Sequence, residues 1–155
     1  MHLPAWGMHY NANGMTTIPD AAEAPSPSRG PDWSKLVGDS IKQHGAWHTY
    51  NKLLEARRMY PSDVTLRGYC EIVRNTIVRE LLEHPKALHA VPKLTVGFLT
   101  DFDKFNLTAQ EGYLISLMDG RLDIQTLLRV SPFDHFSTLF YVAKLLESRA
   151  ITIPV

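Results

Sequence analysis

The chain has 155 residues, enough for one domain of ordinary size or for two very small domains that share a core. It is 45% apolar, and its 16 Lys and Arg residues balance its 16 Asp and Glu residues, so the whole molecule has no electrostatic reason to bind a polyanion. The single cysteine, Cys70, excludes an intramolecular disulfide and a multi-thiolate metal site.

Residues 1–31 are predicted to be a disordered leader, because prolines and glycines interrupt every stretch that could become a helix or a strand. Met15 opens a typical polar N-terminal tail, which leaves open whether translation starts at Met1 or at Met15. The N-terminus lacks the basic start and apolar run of a signal peptide, and no stretch approaches the ~18 to 20 apolar residues that span a bilayer. We therefore expect a cytoplasmic protein.

Three helices are predicted next. The first begins behind a capping Asp32 and ends at His44-Gly45, and the second covers about 46–60 and ends at a proline. Ser62 or Asp63 is expected to cap the third, which covers about 63–84 and carries an apolar stripe at i, i+3 and i+4 spacing. The members of this stripe are Leu66, Tyr69, Cys70, Val73, Ile77 and Leu81.

After the third helix, the sequence predicts a short strand or extended segment and then a fourth helix. Residues 94–102, LTVGFLTDF, are rich in β-branched and aromatic side chains, which favours a short strand or an extended packing segment. Thr108 and Glu111 then form the T-x-x-E pattern of a capping box, which predicts the start of a fourth helix. Gly120 is expected to end that helix in a left-handed conformation.

Two further helices and a strand are predicted at the end of the chain. Asp123 is expected to cap a short fifth helix. Ser131 is expected to cap the sixth, with Pro132 at its first position and Asp134 in its positive first turn. Residues 151–155, ITIPV, predict a terminal strand.

Residues 33–61 resemble a single tetratricopeptide repeat, a two-helix unit of about 34 residues. One repeat cannot bury its own faces, so the third helix would have to cover it. An unrelated pair of helices is the alternative. The matching residues are Trp33, Leu36, Ala56 and Pro61. Leu53 is an acceptable replacement for the Phe of the pattern, while Val37, Ser40 and Thr49 stand at its Gly, Tyr and Ala positions.

The order of features in residues 90–153 resembles a winged-helix-like module at the C-termini of bacterial signalling proteins, including response-regulator and repeat-containing types. The matching segments are AVPKL, LTAQEGYLISLMDGRLDIQTLL and SPFDHFSTLFYVAKLLESRAI. The resemblance implies a small α+β module that serves assembly and regulation, with the terminal strand as its wing. We therefore predict a mainly α fold: a leader (1–31), a tetratricopeptide-like hairpin plus long helix (32–90), and a winged-helix-like module (91–155).

A helix-turn-helix suggests DNA binding, but the charges of this module argue against it. Residues 107–155 contain four basic and five acidic residues. The predicted sixth helix, which would enter the major groove, begins with Phe133 and Asp134 and offers no Arg or Asn for a bidentate base contact. A DNA-binding transcription regulator is therefore kept only as the alternative function.

No pattern in the sequence predicts catalysis, a cofactor or a metal site. His44 and His48 have the i, i+4 spacing of two zinc ligands, but a third ligand and the Glu of H-E-x-x-H are missing. Asp101 and Asp103 could both face water from an extended segment whose Phe102 packs inward, yet no companion group is evident. Cys70 lies on the apolar stripe and is read as a buried hydrophobe.

We therefore predict a non-catalytic bacterial adaptor or regulatory protein that acts through protein–protein interaction in intracellular signalling. The partner is expected to be another protein, such as a response regulator, a small GTPase or a kinase-type protein, or a second copy; neither DNA nor a membrane is expected. Core packing is the alternative role for the candidate aromatics, and a solvated helix face is the alternative for the arginines. The candidate contact residues are Phe133, Asp134, Arg67, Arg74, Trp47 and Tyr50.

Overall fold

Six α-helices and one two-stranded sheet organise residues 31–154, the part of the chain that this computed structural model describes. The predicted mainly helical fold is confirmed. Apart from Pro31, the predicted leader lies outside the described residues, as does the choice between Met1 and Met15. The elements are α1 (Trp33–Met59), α2 (Val64–Glu83), β1 (Lys93–Leu94), α3 (Val96–Thr100), α4 (Ala109–Leu117), α5 (Ile124–Val130), α6 (His135–Glu147) and β2 (Ile151–Thr152), with 3-10 turns at Ala87–His89 and Phe102–Phe105.

Helix α1 reverses direction at Gly45, which confirms the predicted break. Gly45 has φ 83° and ψ 170°, a conformation outside the helix and unfavourable for a residue with a Cβ. The buried Thr49 hydroxyl donates to the Gly45 carbonyl oxygen at 2.9 Å and lies 2.8 Å from the hydroxyl oxygen of Ser40. At the open end, the rings of Trp33 and Tyr60 are 5.9 Å apart. The segments before and after Gly45 therefore form a helical hairpin.

This turn gives a first prediction. Gly45→Ala is expected to lower the free energy of unfolding by about 1–2 kcal/mol, because its Cβ would meet no neighbour but its left-handed φ would be strained. Gly68→Ala, inside helix α2 and with equal space for a Cβ, is expected to raise that free energy by about 0.5–1 kcal/mol. Urea denaturation of both variants measures the two effects. Two changes of the same sign would contradict the assigned backbone at Gly45.

Helix α2 packs along the hairpin and is joined to it at Asp63. The Asp63 carboxylate accepts the Leu66 backbone N–H at 2.9 Å, which caps α2, and accepts the indole N–H of Trp33 at 2.8 Å. These hydrogen bonds, chiefly the one from Leu66, hold the pKa of Asp63 below its usual value. A single local cap thus also joins the start of α1 to the start of α2.

The predicted strand over residues 94–102 is wrong beyond Leu94. Strand β1 pairs antiparallel with β2, Leu94 opposite Ile151, and this pairing confirms the predicted terminal strand. At Thr95 the side chain accepts the Phe98 backbone N–H at 3.2 Å and so begins helix α3. A threonine at a cap position has therefore outweighed the β preference of the residues that follow it.

The predicted caps of α4 and α5 are confirmed, but the predicted cap of α6 is wrong. Asp134, not Ser131, caps α6 by accepting the Ser137 backbone N–H at 2.9 Å, so Pro132 lies before the helix. The Ser131 hydroxyl instead accepts the Phe133 backbone N–H at 3.2 Å. A carboxylate at a helix N-terminus makes a charge-assisted hydrogen bond, which explains its advantage over a serine. Hydrogen bonding to Ser137 holds the pKa of Asp134 below its usual value.

Helix α6 is central to the described part of the chain. It contacts α2, α4, α5 and β2. The described parts of the predicted regions 32–90 and 91–155 thus pack against each other, and residues 31–154 belong to one compact unit. The buried residues of α6 are Thr138, Leu139, Phe140, Val142, Ala143 and Leu145.

Candidate functional site

Three of the predicted contact residues meet at the junction of α1, α2 and α6. The ring of Trp47 stacks on that of Phe140 at 5.7 Å, and the ring of Tyr50 meets Phe140 edge-on at 5.3 Å. The guanidinium carbon of Arg74 lies 4.6 Å from the centre of the Phe140 ring and 5.2 Å from that of Phe136. Within residues 31–154, this group holds the hairpin and α2 to α6.

The two candidate arginines lie in different environments. The side chain of Arg74 is only 21% exposed, and its Nη1 donates to both carboxylate oxygens of Glu71 at 2.9 and 3.1 Å. Burial raises the pKa of the neighbouring Tyr50, and the charge of Arg74 opposes that rise. Arg67 is exposed and reaches only the Pro61 carbonyl oxygen, at 3.4 Å. Arg67 therefore presents its charge to solvent, whereas Arg74 is largely covered and already paired with Glu71.

The remaining two candidates form a separate group at the start of α6. Phe133 is half-buried, with its ring edge-on to Tyr113 at 6.0 Å and to Tyr141 at 5.6 Å. Asp134 is exposed, and its carboxylate caps the helix. The ring of Phe133 therefore packs beside other aromatic rings of the same chain, and the carboxylate of Asp134 serves to cap α6.

Sequence reasoning missed a patch of exposed apolar side chains on α3 and the following 3-10 turn. Val96, Leu99 and Phe102 are 79%, 66% and 59% exposed, and we call them the apolar patch. The prediction that Phe102 packs inward is wrong: its ring is exposed, because Phe98 is the buried ring of this segment. The Phe105 ring lies 5.1 Å from the Phe98 ring. The i, i+3, i+6 spacing behind the threonine cap was the signal that could have revealed the patch.

A groove between the C-terminal ends of α2 and α6 and the β1–β2 sheet was also missed. It consists of two adjoining cavities of about 490 and 810 Å³, both lined by His84 and Ile153. The cluster of basic residues and histidines in the segment 84–93, HPKALHAVPK, was the available sequence signal. The basic residues that line this groove are Lys86, Lys93 and Arg149, with His84 and His89 beside them.

The groups considered for catalysis are not brought together. The rings of His44 and His48 are 4.8 Å apart, but residues 31–154 contain no group of three or more His, Cys, Asp or Glu placed to hold a metal ion. Asp101 pairs with Lys104 at 2.8 Å. Cys70 is buried, and burial raises the pKa of its thiol, which disfavours the nucleophilic thiolate.

Neither a membrane-spanning helix nor a known relative indicates the role of the described residues. No helix within residues 31–154 combines the length and apolar character needed to cross a membrane. The apolar patch and the groove are two surface features of the described residues that are open to solvent. Comparison of the chain with protein-family models, with curated proteins and with solved structures found no match.

Proposed function

We propose that the chain is a non-catalytic adaptor or regulatory protein of bacterial signalling that acts by binding another protein. The apolar patch is the observation that carries this proposal. Single exposed apolar residues are ordinary, but three large ones at i, i+3 and i+6 on one short segment are typical of a contact surface. Covering Val96, Leu99 and Phe102 with a partner would remove most of their apolar area from water.

We also propose the arrangements that the two resemblances imply, tetratricopeptide-like for 32–90 and winged-helix-like for 91–155. The hairpin at Gly45, covered by α2, supports the first. The order α4, α5, α6 and β2, with β2 paired to β1, supports the second. Modules of these kinds serve assembly, so a response regulator, a small GTPase, a kinase-type protein or a second copy is the expected class of partner.

Leu99→Asp tests the patch. A buried leucine contributes about 1.5–3 kcal/mol, so its replacement by a charge is expected to weaken partner capture at least about tenfold. The measurement is affinity co-purification from a lysate of the source cell, with the captured proteins quantified by mass spectrometry. The helicity of the variant is expected to be unchanged, because Leu99 is exposed.

The matched control is Val64→Asp, which places the same charge at a residue 75% exposed at the start of α2. We expect this variant to capture the same proteins as the unaltered chain. Equal capture by Leu99→Asp and by the unaltered chain would contradict the proposal. So would equal losses in both variants, because the loss would then not depend on the patch.

The alternative function, a winged-helix regulator that binds DNA, meets an obstacle in the position of α6. The helix that would enter the major groove is covered by α2 and by α4 and α5, and Thr138, Leu139 and Phe140 are buried in succession. A gel-shift assay across a salt series distinguishes the two functions. An adaptor is expected to give no DNA complex, whereas a regulator would give one that weakens steeply with salt.

A further inference from the structure

We infer that the groove between α2, α6 and the β1–β2 sheet binds an acidic, apolar peptide segment of a partner protein. The inference rests on the proposed adaptor function and adds a second contact surface beside the apolar patch. Three features of the groove support it: its shape and apolar wall, its charge, and the backbone conformation of two of its basic residues.

The shape and lining of the groove suit a chain segment. Two adjoining cavities of about 490 and 810 Å³ are each of a size that takes side chains or a small ligand. Strand β2 lines the first cavity, and within residues 31–154 no third strand lies beside the two-stranded sheet. Free strand edges bind extended peptides through backbone hydrogen bonds. The apolar residues of the lining are Leu81, Ala87, Leu146, Ile151 and Ile153 in the first cavity.

The charge of the groove indicates the sign of the ligand. Three basic residues, Lys86, Lys93 and Arg149, line the two cavities, against one acidic residue, Glu80. The chain as a whole has no net charge, so this positive excess is local. His89 also lines the groove, and its Nδ1 lies 3.8 Å from a carboxylate oxygen of Asp123. An acidic segment complements this lining.

Two of the basic residues have a backbone conformation that favours glycine. Lys86 has φ 64° and Arg149 has φ 59°; among residues 31–154 Asn106 is the only other non-glycine residue with positive φ. Arg149 follows the end of α6, and its N–H donates to the Leu146 carbonyl oxygen at 3.0 Å, at a position where helices usually carry glycine. A Cβ there is unfavourable for folding.

The side chains of these two residues do not offset that strain within the described chain. Neither Lys86 nor Arg149 has a side-chain ion pair with another residue of 31–154. Both residues are exposed and line the groove, so their charges are accessible to an acidic ligand there.

The test uses the full chain and a displayed library of random twelve-residue peptides. We expect selection to enrich sequences with several Asp or Glu residues beside apolar ones. One enriched peptide is then synthesised, and its dissociation constant is measured by fluorescence polarisation. The double variant Lys86→Gly, Arg149→Gly is expected to bind it at least about tenfold more weakly and to unfold at an equal or higher urea concentration, because glycine fits both positions.

Two further variants make the result specific. Lys42→Gln with Arg58→Gln removes the same charge from exposed positions of α1, and we expect unchanged binding. Leu99→Asp is expected to keep the peptide and to lose the partner of the patch, so the two proposals can fail separately. The inference would be overturned if the selected peptides lacked acidic residues, or if the glycine double variant bound the peptide as tightly as the unaltered chain. It would also be overturned if the glutamine double variant of α1 bound the peptide as weakly as the glycine double variant. Self-association lost in the glycine variant would also overturn it, because a second copy would then be the occupant.

Discussion

Phe140→Ala is expected to lower the free energy of unfolding by about 3–5 kcal/mol, a large part of the ~5–15 kcal/mol that stabilises a typical domain. Phe140 is buried, and its ring contacts those of Trp47 and Tyr50 and the guanidinium of Arg74. Removing the Phe140 ring leaves a cavity between α1, α2 and α6. It also leaves the guanidinium of Arg74 with only one of its two aromatic contacts, the ring of Phe136. The change therefore weakens the contact between the N-terminal hairpin and α6.

Urea denaturation followed by far-ultraviolet circular dichroism measures this effect. Phe102→Ala is the matched control, since it removes the same side chain from an exposed position whose one aromatic contact is Phe98 at 5.7 Å. We expect the control to change the free energy of unfolding by less than about 1 kcal/mol. A comparable loss in both variants would show that the junction does not stabilise the fold as described.

Lys144→Met is expected to lower the free energy of unfolding by about 3 kcal/mol, because it leaves the carboxylate of Glu111 buried without its cation. Glu111 is 2% exposed, with one oxygen 2.6 Å from Lys144 Nζ and the other accepting the Thr108 backbone N–H at 2.8 Å. The expected loss is at the lower end for buried pairs, since the side chain of Lys144 is 42% exposed and water still reaches it.

The control for this ion pair is Lys52→Met, whose partner Glu55 lies 3.1 Å away and where both side chains are more than half exposed. Exposed pairs contribute about 0–1 kcal/mol, so a small change is expected there. Lys144→Arg, which keeps a cation beside Glu111, is expected to restore most of the lost stability. Equal losses at Lys144 and Lys52 would contradict a special role for the buried carboxylate.

Thr95 lies between the groove and the helix that carries the apolar patch. Its side chain lines the groove and accepts the Phe98 backbone N–H that starts α3, the helix of the patch. Its hydroxyl also donates to the carbonyl oxygen of Arg149 at 2.7 Å. The two surfaces that we propose for partner binding are thus connected through one hydrogen-bonded residue.

Local chemistry explains which elements could be predicted from the sequence. Asp123 and the Thr108–Glu111 capping box each act within three residues of themselves, and each begins a helix where it was expected. Asp63, one of the two residues expected to cap α2, acts over the same short range. The two errors in placing helices occurred where two local signals compete. Thr95 begins a helix inside a β-rich segment, and Asp134 takes the cap position that Ser131 was expected to hold.

The placement of side chains between distant segments could not be predicted in this way. Trp47, Arg74 and Phe140 meet because the hairpin and α2 pack on α6, and contacts between such distant residues leave no periodic pattern in the sequence. The same packing leaves Leu99 in water and gathers Lys86 and Arg149 at one groove, although 63 positions separate the two basic residues in the chain.

The sequence by itself therefore determined the mainly helical class, the starts of α1, α4 and α5 and the break at Gly45, since caps and glycine conformations act over a few residues. Only the tertiary structure decided which aromatic and basic side chains face one another and which face solvent. Burial depends on where whole helices pack, and that is set by the summed apolar contacts of the entire core.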